Sequence, residues 1–308
     1  MSMKIGLALG GGDGATVEDA VARIVRAERD GFSTVWLAHI FALDALTILA
    51  LAGQQTESIE LGTAVIPTYP RHPHALAQQA ATVNAAVGGR LALGIGRSHQ
   101  LVIESMFGMS YDKPISHMRD YVTVIRSLVE NGACAVDGKA YKVNAPLEIK
   151  ERPKLPILIG ALMPKMLEVC GQLCDGTLTW MTGPKHLAAS IVPALKASSE
   201  AASREMPRVV CSLPICVTDN AAGAREAAAK LFQIYGQLPV YRACLDAEGA
   251  DGPVDVSLIG SEDEVREGLE RVRDAGATDF YAAVFPEDGA GASTDRSDEL
   301  LKGLGGAI

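Results

Sequence analysis

No run of lysine or arginine interrupts this 308-residue chain, and its formal net charge is −9. A protein that tracks phosphates along a nucleic acid needs a basic face, so no nucleic-acid partner is expected. The acid excess serves solubility. No CxxC pair is present: the six cysteines stand at 134, 170, 174, 211, 216 and 244. Cys170 and Cys174 share a helix face. No histidine pattern accompanies them, so no metal is expected and the thiols read as small buried hydrophobes. No leader pattern precedes the first apolar run, because Met1-Ser2-Met3-Lys4 enters it directly; the expected compartment is the cytoplasm. No internal repeat is evident. The stretch nearest to a membrane span, Phe32–Gly53, carries Asp44 near its centre, which lipid disfavours. It reads as strand, loop and buried helix, and no membrane is expected.

What remains is 48% hydrophobic and 21% charged, the composition of a globular protein with a core large enough to need no disulfide. Met3–Leu9 is a continuous apolar run that stops at glycines, as a strand buried on both faces would. Further runs of this kind are Thr34–Leu37, Ile59–Ile66, Arg90–Ile95, Leu155–Gly160, Gly176–Trp180, Arg208–Val217 and Asp279–Phe285. Helical segments alternate with them. Thr16 with Asp19 and Ser261 with Glu264 form capping boxes at two helix starts. Val136-Asp137-Gly138-Lys139-Ala140 reads as a hairpin turn inside an insertion at about residues 133–150. Residues 237–260 read as irregular. Eight strands alternating with helices predict an α/β fold, a (β/α)8 TIM barrel with an insertion after strand four, forming a single domain over residues 1–308.

Barrel chemistry sits at the C-terminal strand ends. Gly10-Gly11-Gly12-Asp13-Gly14 follows strand one and lets a ligand approach the backbone. A dinucleotide fingerprint would need an acid after strand two, where Ala38-His39 stands. His39 is a candidate to meet a cofactor ring. Tyr69, Arg71 and His72 lie in a proline-rich loop after strand three. Arg71 can hold an anion or fix that loop through a salt bridge. Gly94-Ile95-Gly96-Arg97-Ser98-His99 ends strand four with two glycines and then hydrogen-bonding groups. His99 is the candidate acid or base. Gly160-Ala161 precedes a helix start suited to an anion.

In order and spacing, Leu61-Gly62-Thr63-Ala64-Val65, Arg71-His72-Pro73, Gln78-Gln79-Ala80, Gly89 to Gly96, Ser98-His99, Gly160-Ala161 and Asp175-Gly176 resemble the luciferase-like monooxygenase superfamily. The likeness is to its coenzyme F420-dependent branch and runs from about residue 3 to 286. It implies a non-proline cis bond at Ala64–Val65, whose bulge backs the cofactor ring. It also implies a ring near His39 and Gly96, and a cofactor tail toward Gly160-Ala161 and Asp175-Gly176. The cofactor set is then Gly10, His39, Ala64, Val65, Gly96, Arg97, Ser98, Gly160, Ala161, Gly176 and Thr177. Tyr69, Arg71, Met106 and Trp180 line the substrate pocket, and His99 and His39 are catalytic. The chain departs from the sugar-phosphate dehydrogenases of that branch. It has Ala38-His39 in place of Asp-His, His99 in place of a glutamate, and no clear lysine match near Pro184. The expected activity is therefore F420-dependent reduction of a C=C or C=N bond in a small molecule. An FMN-dependent monooxygenase and a non-catalytic deazaflavin-binding barrel are the alternatives. A homodimer is one open assembly.

Overall fold

Each apolar run forms a strand covered on both faces, as parallel strands are when helices pack outside them. The computed structural model describes residues 2–10, 15–287 and 292–308. Eight parallel strands form its barrel: β1 (Lys4–Leu9), β2 (Thr34–Leu37), β3 (Glu60–Thr63), β4 (Leu91–Gly96), β5 (Ile157–Gly160), β6 (Gly176–Trp180), β7 (Arg208–Ser212) and β8 (Asp279–Val284). Each pairs with the next, and β8 returns to β1 with Asp279 opposite Lys4, so the sheet closes. Among the described residues no helix is long and apolar enough to cross a membrane.

The helices that connect them follow local sequence logic. Thr16 accepts from the Asp19 N–H and Asp19 accepts from the Thr16 N–H, which starts α1 (Val17–Arg29) with the expected capping box. Asp44 caps α2 (Ala45–Gly53). Proline at the first turn opens α3 (Pro73–Ala86), α4 (Pro114–Asn131) and α5 (Pro164–Leu173). Ala133–Asp137 and Lys142–Pro146 pair antiparallel between α4 and β5, so the insertion is the predicted hairpin.

Four elements differ from the sequence reading. Residues 237–260 are ordered: they hold a helix (Pro239–Glu248), a 3-10 turn (Pro253–Val256) and a strand (Leu258–Gly260). Pro239 at the helix start and Gly249 at φ 78° past its end are ordinary helix punctuation that reads as turn residues when scanned singly. The seventh apolar run breaks at Leu213, and Pro214–Val217 continues it beside β8 and Leu258–Gly260. The segment after β6 is not one uniform helix but Pro184–His186, a π turn (Leu187–Ile191) and Val192–Ala201. A helix at Ala292–Gly303 was not foreseen.

The barrel interior is filled by Trp36, Ala92, Leu158, Leu178, Val210 and Tyr281. Trp36 fits because residue 62 is glycine: a Cβ there would lie 2.2 Å from the indole. Below this layer, at the N-terminal strand ends, Arg208 bridges the barrel. Its guanidinium donates to Glu60 at 2.7 and 3.1 Å and to Asp279 at 2.6 and 3.2 Å. Burial alone would lower the Arg208 pKa, but hydrogen bonds and charge from Asp279 and Glu60 hold it above its ordinary value. Asp279 is only 2% exposed. Arg208→Met should therefore cost about 3–5 kcal/mol, because it strands a buried carboxylate. Urea unfolding measures this, and a loss under about 1 kcal/mol would show that the bridge does not hold the barrel end together.

Candidate active site

The opposite rim gathers most of the residues singled out in the sequence. After β2 and β3, Arg71 donates through Nη2 to Asp44 Oδ2 at 2.8 Å, and its Nη1 lies 3.2 Å from His39 Nε2. The Ala45 N–H donates to His39 Nδ1 at 3.1 Å. Two donors thus converge on one imidazole, and a doubly protonated ring would oppose both. Burial, then the charge of Arg71, depress the His39 pKa, against the pull of Asp44. The carbonyl of Arg71 accepts from the Tyr121 hydroxyl at 3.0 Å. Arg71 is thus held at both ends, its guanidinium by Asp44 and its carbonyl by Tyr121.

The Ala64–Val65 peptide is cis. Past it, Ile66 and Pro67 run beside Ile95 and Gly96. Gly96 is required by this close approach, since a Cβ on it would lie 2.4 Å from Val65 Cγ2. Arg97, Ser98 and His99 follow, all half-buried. Ser98 adopts φ 58°. Arg97 has no hydrogen bond or ion pair with any described residue. Burial, then the charge of Arg97, lower the His99 pKa. The imidazole of His99 lies 5.6 Å from the ring of Tyr241.

Across the rim, Gly160 ends β5 with no heavy atom within 4 Å of where a Cβ would stand. Ala161 follows, buried, and its N–H donates to Thr177 Oγ1 at 3.3 Å. Thr177 is fully buried, and its hydroxyl also donates to the carbonyls of Ile159 and Ala161. Gly176 is not brought to this rim. It opens β6 at the N-terminal end, where Asp175 pairs with Arg126 at 2.7 Å and Arg204 at 3.3 Å. Trp180 ends β6 among Phe232 and Tyr235. Gly10 is exposed at the end of β1, and the rest of its glycine loop, residues 11–14, lies outside the described residues. Among the described residues no cluster of three or more His, Cys, Asp or Glu could hold a metal.

Over residues 2–279 the sequence matches the family of luciferase-like monooxygenases. The chain belongs to that family. It is 28% identical over 307 residues to a Mycobacterium tuberculosis protein named as a coenzyme F420-dependent oxidoreductase, covering 93% of this chain and 86% of the other. It is 30% identical over 205 residues to the 5,10-methylenetetrahydromethanopterin reductase of Methanolobus tindarius, covering 66% and 62%. In fold it is similar to the F420-dependent tetrahydromethanopterin reductase of Methanopyrus kandleri, with TM-score 0.81, 22% identity and coverage of 98% and 97%. A type II Baeyer–Villiger monooxygenase component of Pseudomonas putida in complex with FMN is similar at TM-score 0.77, 17% identity and coverage of 97% and 96%.

This luciferase-like rim also holds residues that the sequence reading passed over. Tyr69 is sandwiched between His117, stacked at 4.0 Å, and Tyr111 at 5.1 Å. His117 Nε2 lies 2.8 Å from the buried Thr68 hydroxyl. Tyr241 comes from the unforeseen helix Pro239–Glu248. The signal for His117 was its spacing: it stands one helical turn before Tyr121 on the face that carries Met118 and Ile125. Burial pushes its pKa down to about 4, against the pull of Asp120. The unfolded chain thus binds a proton near pH 6.5 that the fold refuses until about pH 4. Stability from this residue is complete above pH 6.5 and is lost as pH falls toward 4. The loss should be about 2–3 kcal/mol at the acid end. His117→Asn should remove that part of the acid sensitivity, read from urea midpoints across this range. A variant as acid-sensitive as the wild type would place the titration elsewhere.

Proposed function

We propose that this chain is a coenzyme F420-dependent oxidoreductase that moves hydride between the deazaflavin and an activated C=C or C=N bond of a small organic molecule. The observation that carries this reading is Arg97. A half-buried guanidinium without a partner among the described residues stands at the end of β4, one residue past the glycine on which Val65 packs. A cofactor phosphate would supply the missing charge. The open space at Gly160 leaves room for a ligand against the backbone. The names of the mycobacterial and methanogen relatives favour the deazaflavin over FMN.

A bound deazaflavin supplies or accepts the hydride, as nicotinamide does. Arg97 and Ser98 would hold its phosphate end, Gly160 and Ala161 would leave it room, and the ring would lie against Ala64–Val65. His99 holds or gives the proton that the substrate needs at the atom next to the one receiving hydride. His39, set between the Ala45 N–H and the Arg71 guanidinium, orients the ring. Arg71 fixes the Tyr69 loop through Asp44.

Titration of intrinsic tryptophan fluorescence should show F420 binding about tenfold or more tighter than FMN. The reverse order would turn the reading to an FMN-dependent monooxygenase. His99→Ala should slow turnover by about 10²-fold with little change in F420 affinity. Because its pKa lies below 6.5, the proton-donating form of His99 declines as pH rises through that range, and reductive turnover should decline with it. Full turnover in His99→Ala would remove the assignment.

A further inference from the structure

Large apolar side chains stand in solvent at one place on the rim. Ile40 is 63% exposed and Phe41 62% on the loop after β2. Leu101, Met106 and Phe107 are 65%, 59% and 40% exposed on the loop after β4. The two loops meet where Phe41 and Phe107 form an edge-to-face pair at 6.3 Å. Scattered exposed hydrophobes are ordinary, but a contiguous group over the reactive end of a barrel marks a binding surface.

The charges around this surface are already matched. Arg71 is paired with Asp44, and burial and Arg71 lower the His39 pKa. On the far side, Glu248 accepts from the N–H groups of Lys185 and His186 at 3.2 and 2.8 Å. Its carboxylate therefore already fills the helix start after β6, and Gly183 leaves it the space: a Cβ there would lie 2.3 Å from Glu248. In the oxidoreductase reading Arg97 is given to the cofactor phosphate and is not left for an anionic substrate, which would also meet the fixed carboxylate of Glu248. A neutral hydrocarbon body loses nothing on leaving water and gains contact with Phe41, Met106 and Phe107.

We propose that the substrate is an uncharged, largely hydrocarbon molecule whose body lies across Phe41 and Phe107, and that Glu248 excludes phosphorylated or carboxylate-bearing analogues. This deepens the oxidoreductase reading and rests on it.

The test uses two fluorescent probes on the full chain. N-phenyl-1-naphthylamine is neutral, and 1-anilinonaphthalene-8-sulfonate has nearly the same body with an added anion. The neutral probe should bind one to one and about tenfold or more tighter than the sulfonate. Phe41→Ser combined with Phe107→Ser should weaken the neutral probe by about tenfold or more and leave F420 affinity within about twofold. Both rings are exposed, so the fold should tolerate their loss. Met206→Ser, which removes an exposed apolar group before β7, should change neither. Equal binding of the two probes, or neutral-probe binding unaltered in the double variant, would overturn the proposal. So would sedimentation showing that the double variant splits a dimer while probe binding persists, because the patch would then face a second copy. Failure of F420 to bind the wild type would overturn the oxidoreductase reading separately, whatever the probes do.

Discussion

The Arg208 bridge sets the polarity of the molecule. A closed parallel barrel has two chemically different ends, and one of them must be sealed for the other to serve as a site. Here Arg208, Glu60 and Asp279, the first residues of β7, β3 and β8, tie the N-terminal end together with charged hydrogen bonds. The apolar layer of Trp36, Leu158, Leu178, Val210 and Tyr281 separates that network from the rim. The rim carries glycines, histidines, the Arg71–Asp44 pair and, in Arg97, a guanidinium without a partner among the described residues.

Helix α4 connects this frame to the rim. At one end, Arg126 pairs with Asp175 beside the start of β6. In its first turns, His117 stacks on Tyr69, and Tyr121 donates to the carbonyl of Arg71. Between them, Asp120 accepts from the N–H groups of Ala140 and Tyr141 in the hairpin. A single amphipathic helix thereby fixes the β3 loop, the inserted hairpin and the barrel floor relative to one another. The side chains that do this are polar and buried, so each needs its partner in place.

The barrel was legible in the sequence because burial on both faces writes each strand as an unbroken apolar run, and because capping residues at Thr16 and Ser261 mark helix starts locally. The Ala64–Val65 cis bond came from family likeness, not from residue type. What stayed hidden depends on contacts far apart in the chain. Pro239–Glu248 looks like turn-rich loop until its Cys244 and Leu245 are seen buried. Gly176 lies beside candidate site residues in the sequence, yet a strand has two ends and this glycine marks the closed one. The partner of Arg71, Asp44, stands 27 residues away in the chain.

The two rim histidines show why titration direction alone does not assign a role. Burial lowers the pKa of both, and a nearby arginine lowers each further. A depressed pKa makes the protonated form of either a better acid and a scarcer one. The difference lies in hydrogen-bond inventory. His39 has the Ala45 N–H at one nitrogen and Arg71 at the other; the neutral ring accepts from one of them, and a second proton would leave an N–H facing each. Among the described residues His99 has no hydrogen-bond donor on its ring, and the aromatic ring of Tyr241 lies beside it. Arg97 differs from Arg71 in the same way, since Asp44 balances Arg71 while Arg97 has no ion pair among the described residues. An anion drawn to Arg97 would screen the charge that depresses His99 and raise the protonated fraction of that imidazole. In the proposed reading, ligand binding and proton supply would thus be linked through Arg97 and His99, two residues apart after one strand end, whereas on the β2 and β3 side Arg71 is already paired with Asp44.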